Sequence, residues 1–595
     1  MMKPSYRIGC GCFVAAISIF LLVLFQQNYF PDVMPLPTTL NTKGLVPQWS
    51  KSELLIDTTL PTDTLLNTTL PNNTIPPDNT IPPDNTIPAD TKLPDSTLLS
   101  TTLPIWPLPR HTSVLVSEDV SMFISRDVKF KVNAASKILQ DAVERYKSLI
   151  TTGDHSKCTH KAVELNTINV LVSDDSEDLN GDRKYEVIIN SESKDVTIIA
   201  TSPFGAIYGL ETISQLFFNH SCISYSQVHI KDYPMYRHRG LLLDVGRRIA
   251  PKELVYTLLD TLSYLKMNVF HFHLSDECRY SVESEVFPQL TAHLKPGQFY
   301  TKKDVRDFIE YARQRGIRVI PEIDLPGHTK GLSPLAGEHI EFCSDDNRQV
   351  YNDPKGKSLR TLKKLIDELV SIFPDQYFHM GADETRVNHK CSLEGTTTLE
   401  KDIANYILSL GKTPIGWEEA LFRSNTEIPG MAYQGWIFHN AVEIVKKGYE
   451  SIESAIDYFY MDIISKKIVI PWRRIAPEDH HSEKYLGGEL TMWMDKYCAT
   501  NHCGNNNNHP KAYWMFQQKY DKEFTKSVLG MIWPRGIPAA GTFWNYDDTL
   551  RSDDLLFKSL IKHTHQIILS RGVDGCPLGC SCDEVMRCGV KYKGP

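Results

Sequence analysis

Tyr377-Phe378-His379-Met380-Gly381-Ala382-Asp383-Glu384 carries a short apolar run straight into two adjacent carboxylates. Neighbouring side chains on a β-strand point to opposite faces. Two adjacent acids therefore serve one site only where the strand's regularity breaks, at its end. Parallel α/β enzymes collect their catalytic groups at strand ends, and a carboxylate pair there suits acid-assisted bond cleavage. An isolated Asp-Glu pair is more commonly a solvated turn, so its meaning depends on what surrounds it.

Outward from this stretch, the chain alternates short apolar runs with amphipathic ones. Strands are expected at Leu241–Val245, Asn268–Leu274, Arg318–Ile323, Tyr377–Met380, Pro414–Trp417, Gly430–Trp436, Tyr449–Ala455 and Gly488–Trp493. Helical spacing lies between several of them, at Pro251–Leu265, Lys303–Arg315, Leu359–Ile372 and Leu399–Leu410. This rhythm means a parallel sheet. The fold class is α/β, a (β/α)8 TIM barrel over 233–575, with an open doubly wound sheet as the alternative. No Gly-rich phosphate loop follows the first strand, which counts against nucleotide binding. Before the barrel, residues 110–232 read as a small α+β accessory domain. Its strands are expected at Val163–Leu165 leading to Ile168–Val172, Tyr185–Ile189 and Val196–Ile199, with helices over Ala134–Ile150 and Pro203–Phe218.

Polar and aromatic residues gather where the strands should stop. They are Asp244 and Arg247; His273, Asp276 and Glu277; Glu322, Asp324 and His328; Asp383 and Glu384; Trp417; Trp436; Tyr460 and Asp462; and Trp493 and Asp495. Trp-rich sites with scattered carboxylates suit sugars, whose C–H faces pack on indole while their hydroxyls need polar partners. Glycoside cleavage uses two carboxyls, one kept protonated for the leaving oxygen. His271, His273, Asp276 and His328 lack a metalloprotease-type spacing, and the reading is no metal and no cofactor. No GxSxG elbow marks a serine hydrolase.

The 595 residues carry a formal charge of −8, with 41% apolar and 23% charged residues, so nucleic acid is not an expected partner. Lys3 and Arg7 precede an apolar run from Gly9 to Phe25. We read residues 1–8 as a cytosolic tail and 9–25 as an uncleaved type II signal-anchor, the alternative being a cleaved signal peptide. Residues 26–109, rich in Pro, Thr and Asn, form a stem that cannot build a core. This arrangement leans towards the Golgi and secretory lumen; a secreted or lysosomal form is the alternative. Asn67, Asn72 and Asn219 head N-glycosylation sequons. Of the 13 cysteines, Cys576, Cys580, Cys582 and Cys588 cluster in the tail 576–595. In an oxidising lumen they are expected to pair as disulfides, with a zinc knuckle as the alternative.

Several of these segments also resemble one family in order. They are His238-Arg239-Gly240-Leu241-Leu242-Leu243-Asp244 with Arg247, Phe270-His271-Phe272-His273-Leu274-Ser275-Asp276, Pro321-Glu322-Ile323-Asp324-Leu325-Pro326-Gly327-His328, His379 to Glu384, and Gly205 to Thr212. The chain resembles the β-N-acetylhexosaminidases of glycoside hydrolase family 20 from about residue 110 to 575. The resemblance implies substrate-assisted retention, with Glu384 as general acid and then base. The nucleophile would be the substrate's own 2-acetamido oxygen, oriented and stabilised by Asp383. It further implies that Arg247, Asp462 and Asp495 bind hydroxyls, and that Trp417, Trp436 and Trp493 wall the pocket. Tyr460 would hydrogen-bond the acetamido group, while Asp276, Asp324 and His328 support the acid pair. The substrate is a glycan with a terminal N-acetylhexosamine, and relatives imply a homodimer. The alternative is an inactive, glycan-binding relative. Three departures stand out: Ala382 for the usual Gly, Asp495 for Glu, and Glu277 for Asp. Asp462-Ile463 resembles members that act on neutral sugars. A Cys343–Cys391 disulfide is implied by the family, and Cys158–Cys222 is a second expected pair.

Overall fold

The computed structural model describes residues 103–150, 158, 161–220, 222–423, 427–462, 482–495, 518–545 and 554–575. The expected anchor, the sequons at Asn67 and Asn72, and the Cys-rich tail lie outside them. No helix among the described residues is long and apolar enough to cross a membrane.

Eight parallel strands close into a barrel: β7 (His238–Asp244), β8 (Val269–His273), β9 (Arg318–Glu322), β10 (Tyr377–His379), β11 (Thr413–Trp417), β12 (Ala432–Gly435), β13 (Glu450–Glu453) and β14 (Tyr485–Met492). β14 pairs back onto β7, with Leu490 opposite Leu241, so the open-sheet alternative is excluded. Every residue of β7, β8 and β9 is buried, as expected for strands covered on both faces. Alternation then divides them. Phe270, Phe272, Val319 and Phe378 join the core shared with the outer helices, whereas Val269, Ile320, Ile415, Ala432, Ile452 and Leu486 form a separate apolar cluster. Val269, Ile320, Ile415, Ala432 and Leu486 each precede a polar or aromatic inward residue of the same strand, so they plug the barrel's lower interior. The later inward positions carry His271, Glu322, His379, Trp417, Gln434 and Glu489, all buried.

The accessory domain is a six-stranded mixed sheet, ordered β1-β6-β4-β5-β3-β2, in which β3 (Lys161–Val172), β4 (Tyr185–Asn190) and β5 (Asp195–Ala200) cover the expected strands. Three of its strands were not anticipated: β1 (His111–Val116), β2 (Val120–Val132) and β6 (Tyr225–Asp232). Their apolar alternation is weak because much of one face is exposed, and β2 loses register between Ile124 and Lys129. Helix Pro203–Leu216 starts where Ser202 accepts from the Gly205 N–H, with Pro203 in the first turn. All its residues are buried, because it lies between this sheet and the barrel. A Cβ on Gly209 would come within 2.6 Å of Ile198 Cγ2 on β5, so glycine permits the close approach.

C-terminal helices Gln518–Ile532, Ile537–Trp544 and Asp554–Ser570, also unanticipated, complete the contact between the two parts. Trp106 exchanges two hydrogen bonds with the Gln215 side chain and donates its indole N–H to Ile537 O at 2.8 Å. Glu211 accepts both Nη1 contacts of Arg571, at 3.0 and 2.9 Å, and the Tyr146 hydroxyl at 2.9 Å. Both expected disulfides, Cys158–Cys222 and Cys343–Cys391, are present. Truncating Arg571 to Ala removes the guanidinium that faces the buried Glu211. It is expected to cost about 3–5 kcal/mol, measured as a loss of stability in urea unfolding.

Candidate active site

The turn after β10 is what lets two adjacent acids share a site. Gly381, Ala382 and Glu384 all have positive φ, at 73°, 74° and 44°. Strand alternation ends there, and the chain folds back under Asp324: a Cβ on Gly381 would fall 1.8 Å from Asp324 Oδ1. Gly381 O accepts from the Trp417 N–H at 2.8 Å, pinning the turn to β11. Ala382, buried, occupies a conformation that suits glycine, and both acids after it stand near His328.

His328, itself left-handed at φ 49°, is the common neighbour. Its Nε2 lies 3.2 Å from Glu384 Oε2 and 3.7 Å from Asp383 Oδ2, and its Nδ1 is 3.5 Å from Asp276 Oδ1. Burial would lower the ring's pKa, but Asp276, Asp383 and Glu384 raise it well above the ordinary value. Burial likewise opposes ionisation of Glu384, yet the hydrogen bond and charge of His328, with Arg247, hold that carboxyl below its usual range. Asp383 moves the other way: burial pushes it up, Glu384 adds to this, and His328 only partly offsets it. Asp324 is raised well above its ordinary value by burial and by Asp383, to which it hydrogen-bonds. Two facing carboxyls need a proton between them. Asp324 and Asp383 are both pushed up, so the pair shares it.

Arg247 is clamped by three acids: Asp276 Oδ2 at 2.9 Å, Asp244 Oδ2 at 3.1 Å and Asp495 Oδ1 at 3.2 Å. Asp495 is 60% exposed and still reaches the guanidinium despite its short side chain. The aromatic residues converge as expected. Trp417, Tyr460 and Trp493 form one buried cluster with Leu242, and Trp436 packs against it. Ring centroids lie 5.9–6.3 Å apart, and Trp436 stacks on Tyr460 at 14°. Asp462 is buried at the end of this wall, with Ile463 outside the described residues. Glu277, by contrast, turns to Arg348 at 3.1 Å.

Beneath the site runs a buried network that sequence reasoning did not assemble. Glu322 lies within 3.0 Å of His271, His273 and His379, and Trp417 donates to it at 3.2 Å. His271 also meets Glu489 at 2.7 Å, and Glu489 meets His238 at 2.7 Å and Gln434 at 3.0 Å. His273 Nε2 reaches Asp276 at 3.0 Å, connecting this interior to Arg247 and His328. The available signal was polar residues at every second position of otherwise apolar strands. Glu419 was also missed. It accepts the Trp436 indole N–H at 3.0 Å and is raised to about 8 by burial, Asp383 and Glu418.

Three sets of these side chains stand close enough to share an ion: His271, Glu322 and His379; Asp244, His273 and Asp276; and Asp276, Asp324 and His328. They make poor ligand sets, because His271, His273 and His328 are all held towards imidazolium and Arg247 neutralises the acids. Two adjacent carboxyls beside a wall of Trp417, Trp436, Tyr460 and Trp493 suit a glycosidase-type site.

Residues 236–547 match the family described as Glycosyl hydrolase family 20, catalytic domain, and residues 105–216 match beta-acetyl hexosaminidase like. The chain belongs to glycosyl hydrolase family 20. Over 539 residues it is 28% identical to beta-hexosaminidase subunit B2 of Dictyostelium discoideum, covering 82% of this chain and 89% of that relative. It is 26% identical over 532 residues to beta-hexosaminidase subunit beta of Sus scrofa, covering 80% and 93%. The solved GH20 β-N-acetylhexosaminidase from Streptomyces coelicolor A3(2) shares the fold, with a TM-score of 0.62 at 20% identity over 80% of this chain and 97% of that one.

The buried network sets a pH window for stability. Glu489 and Glu322 raise His271 to about 9 against the effect of burial. Its contribution is therefore complete below an unfolded value of about 6.5 and is lost as pH climbs through about 9. His273 and His328 shift the same way. His238 and His379 are lowered by burial, so they withdraw stability as pH falls below about 6.5. The thermal midpoint is expected to peak near pH 6.5 and to fall on both sides; a midpoint still rising towards pH 9 contradicts the scheme.

Proposed function

We propose that this chain is an exo-β-N-acetylhexosaminidase that removes terminal β-linked GlcNAc or GalNAc by substrate-assisted retaining hydrolysis. The observation that carries this reading is the left-handed turn 381–384, which presents two adjacent carboxyls to one sugar pocket. Two acids so close leave no room for the usual spaced pair. A nucleophile brought by the substrate removes the need for one.

Glu384, 37% exposed at the mouth, faces the glycosidic oxygen. The Glu384–His328 pair holds the proton that the leaving oxygen requires, and the same carboxylate later takes one from water. Asp383, backed by Asp324, accepts the acetamido N–H. That contact turns the carbonyl oxygen towards the anomeric carbon and balances the oxazolinium charge. Tyr460 hydrogen-bonds the acetamido oxygen, and Trp417, Trp436 and Trp493 enclose the methyl group and the ring. Arg247, Asp462 and Asp495 bind hydroxyls. The beta-hexosaminidase names of the relatives support this assignment. The run Gly9–Phe25 and the stem that follows support a type II anchor and work in the Golgi or another secretory lumen, with secretion or lysosomal delivery as the alternative.

Glu384→Gln is expected to lower turnover of a chromogenic β-GlcNAc substrate by about 10²–10⁴-fold; wild type no faster than the variant sinks the enzyme assignment. Asp462 offers an anion where a sulfated sugar would need a cation. A 6-sulfated GlcNAc substrate is therefore expected to turn over poorly, and comparable rates on sulfated and neutral forms overturn that specificity.

A further inference from the structure

At the opposite end of the barrel from the acid pair lies a cavity of 420 Å³, between the accessory segment 179–184 and the starts of β7, β9 and β10. Arg183, Lys184, Arg237, Arg239 and Arg318 line it, against a single lining acid, Asp182, with Tyr233 and Tyr377 among the apolar parts of the wall. Three of the cations have carboxylate partners. Lys184 pairs with Asp182 at 3.1 Å, Arg237 with Glu450 at 3.4 Å and Arg318 with Asp375 at 2.8 Å.

Arg183 and Arg239 do not. Both are buried, and their hydrogen bonds among the described residues go to neutral acceptors. Arg183 donates to Tyr208 Oη at 3.0 Å and to the carbonyls of Gly316 and Leu179. Arg239 donates to the same Tyr208 oxygen at 3.1 Å and to the carbonyls of Tyr236 and Lys266. Two guanidiniums thus converge on one phenol with no counter-ion between them. The phenol registers this. Burial would raise its pKa, yet the two arginines pull it below the ordinary value. Arg239 is itself lowered to about 10 by burial, with Arg183 and Arg318 adding to the effect. Buried positive charge is costly unless it is paired, and planar guanidiniums match oxyanions.

We propose that this cavity binds a tetrahedral oxyanion, a phosphate or sulfate group, either free or carried on a sugar. The volume exceeds that of the anion alone, and aromatic walls suit a sugar ring beside it. The site is separate from the catalytic mouth and does not depend on its assignment.

The test is thermal unfolding of the full chain with inorganic phosphate, with glucose 6-phosphate, and with sodium chloride at matched ionic strength. Saturating N-acetylglucosamine is present throughout to occupy the catalytic site. A rise in midpoint of a few degrees over chloride is expected with phosphate. A tenfold lower half-saturating concentration for glucose 6-phosphate identifies a sugar-borne group, whereas equal concentrations identify the free anion. Lys184→Glu with Arg237→Glu, both at exposed positions of the wall, places acids at the entrance without touching the buried pair. This double variant should lose the shift while keeping chromogenic hydrolysis. No shift beyond chloride, or a shift unchanged in the double variant, overturns the proposal.

Discussion

One buried carboxylate, Glu322, orders the working end of this barrel. It gathers His273 and His271 from β8, His379 from β10 and the indole of Trp417 from β11, so three neighbouring elements meet its own strand through one side chain. Burial alone would protonate it; the surrounding imidazoles hold it ionised, well below the ordinary range. A lone charge in that interior would cost several kcal/mol. Its partners must therefore stay in place, which makes the strand ends rigid. His273 then passes the order on to Asp276, and Asp276 to Arg247 and His328.

On that base the acid pair needs little more than a local turn. Three left-handed residues among four end the strand, and Gly381 lets the backbone touch Asp324. Proton distribution follows from which cation each carboxyl can see. Glu384 faces His328 directly, whereas Asp383 is backed by Asp324, a second acid pushed up along with it. Ala382 occupies the turn as a buried member of the apolar core. Function here depends on placing charges where water cannot screen them.

What could be read along the chain was whatever short-range periodicity records. The barrel strands announce themselves because a strand covered on both faces must be apolar throughout, as β7 is in Leu241-Leu242-Leu243. The strand-end residues Arg247, His328, Trp417 and Trp493 stood out because polar or aromatic groups interrupt that apolarity. β1 and β6 of the accessory sheet escaped because half-exposed strands carry weak patterns. The C-terminal helices escaped because their function is to join distant segments, as Arg571 joins Glu211 across 360 positions.

The amino-acid sequence by itself determined the alternating strand–helix plan, the residues that could stand at the barrel mouth, and the adjacency of Asp383 and Glu384. These follow from steric and hydrophobic rules acting over a few residues. Only the tertiary structure decided that Glu322 and Glu489 sit inside a histidine cage, that Asp324 stands behind Asp383, and that two arginines line a cavity without carboxylate partners. Each of these depends on distance and dielectric between groups far apart in the chain, and charge interactions in a protein interior are set by that geometry and not by order along the backbone.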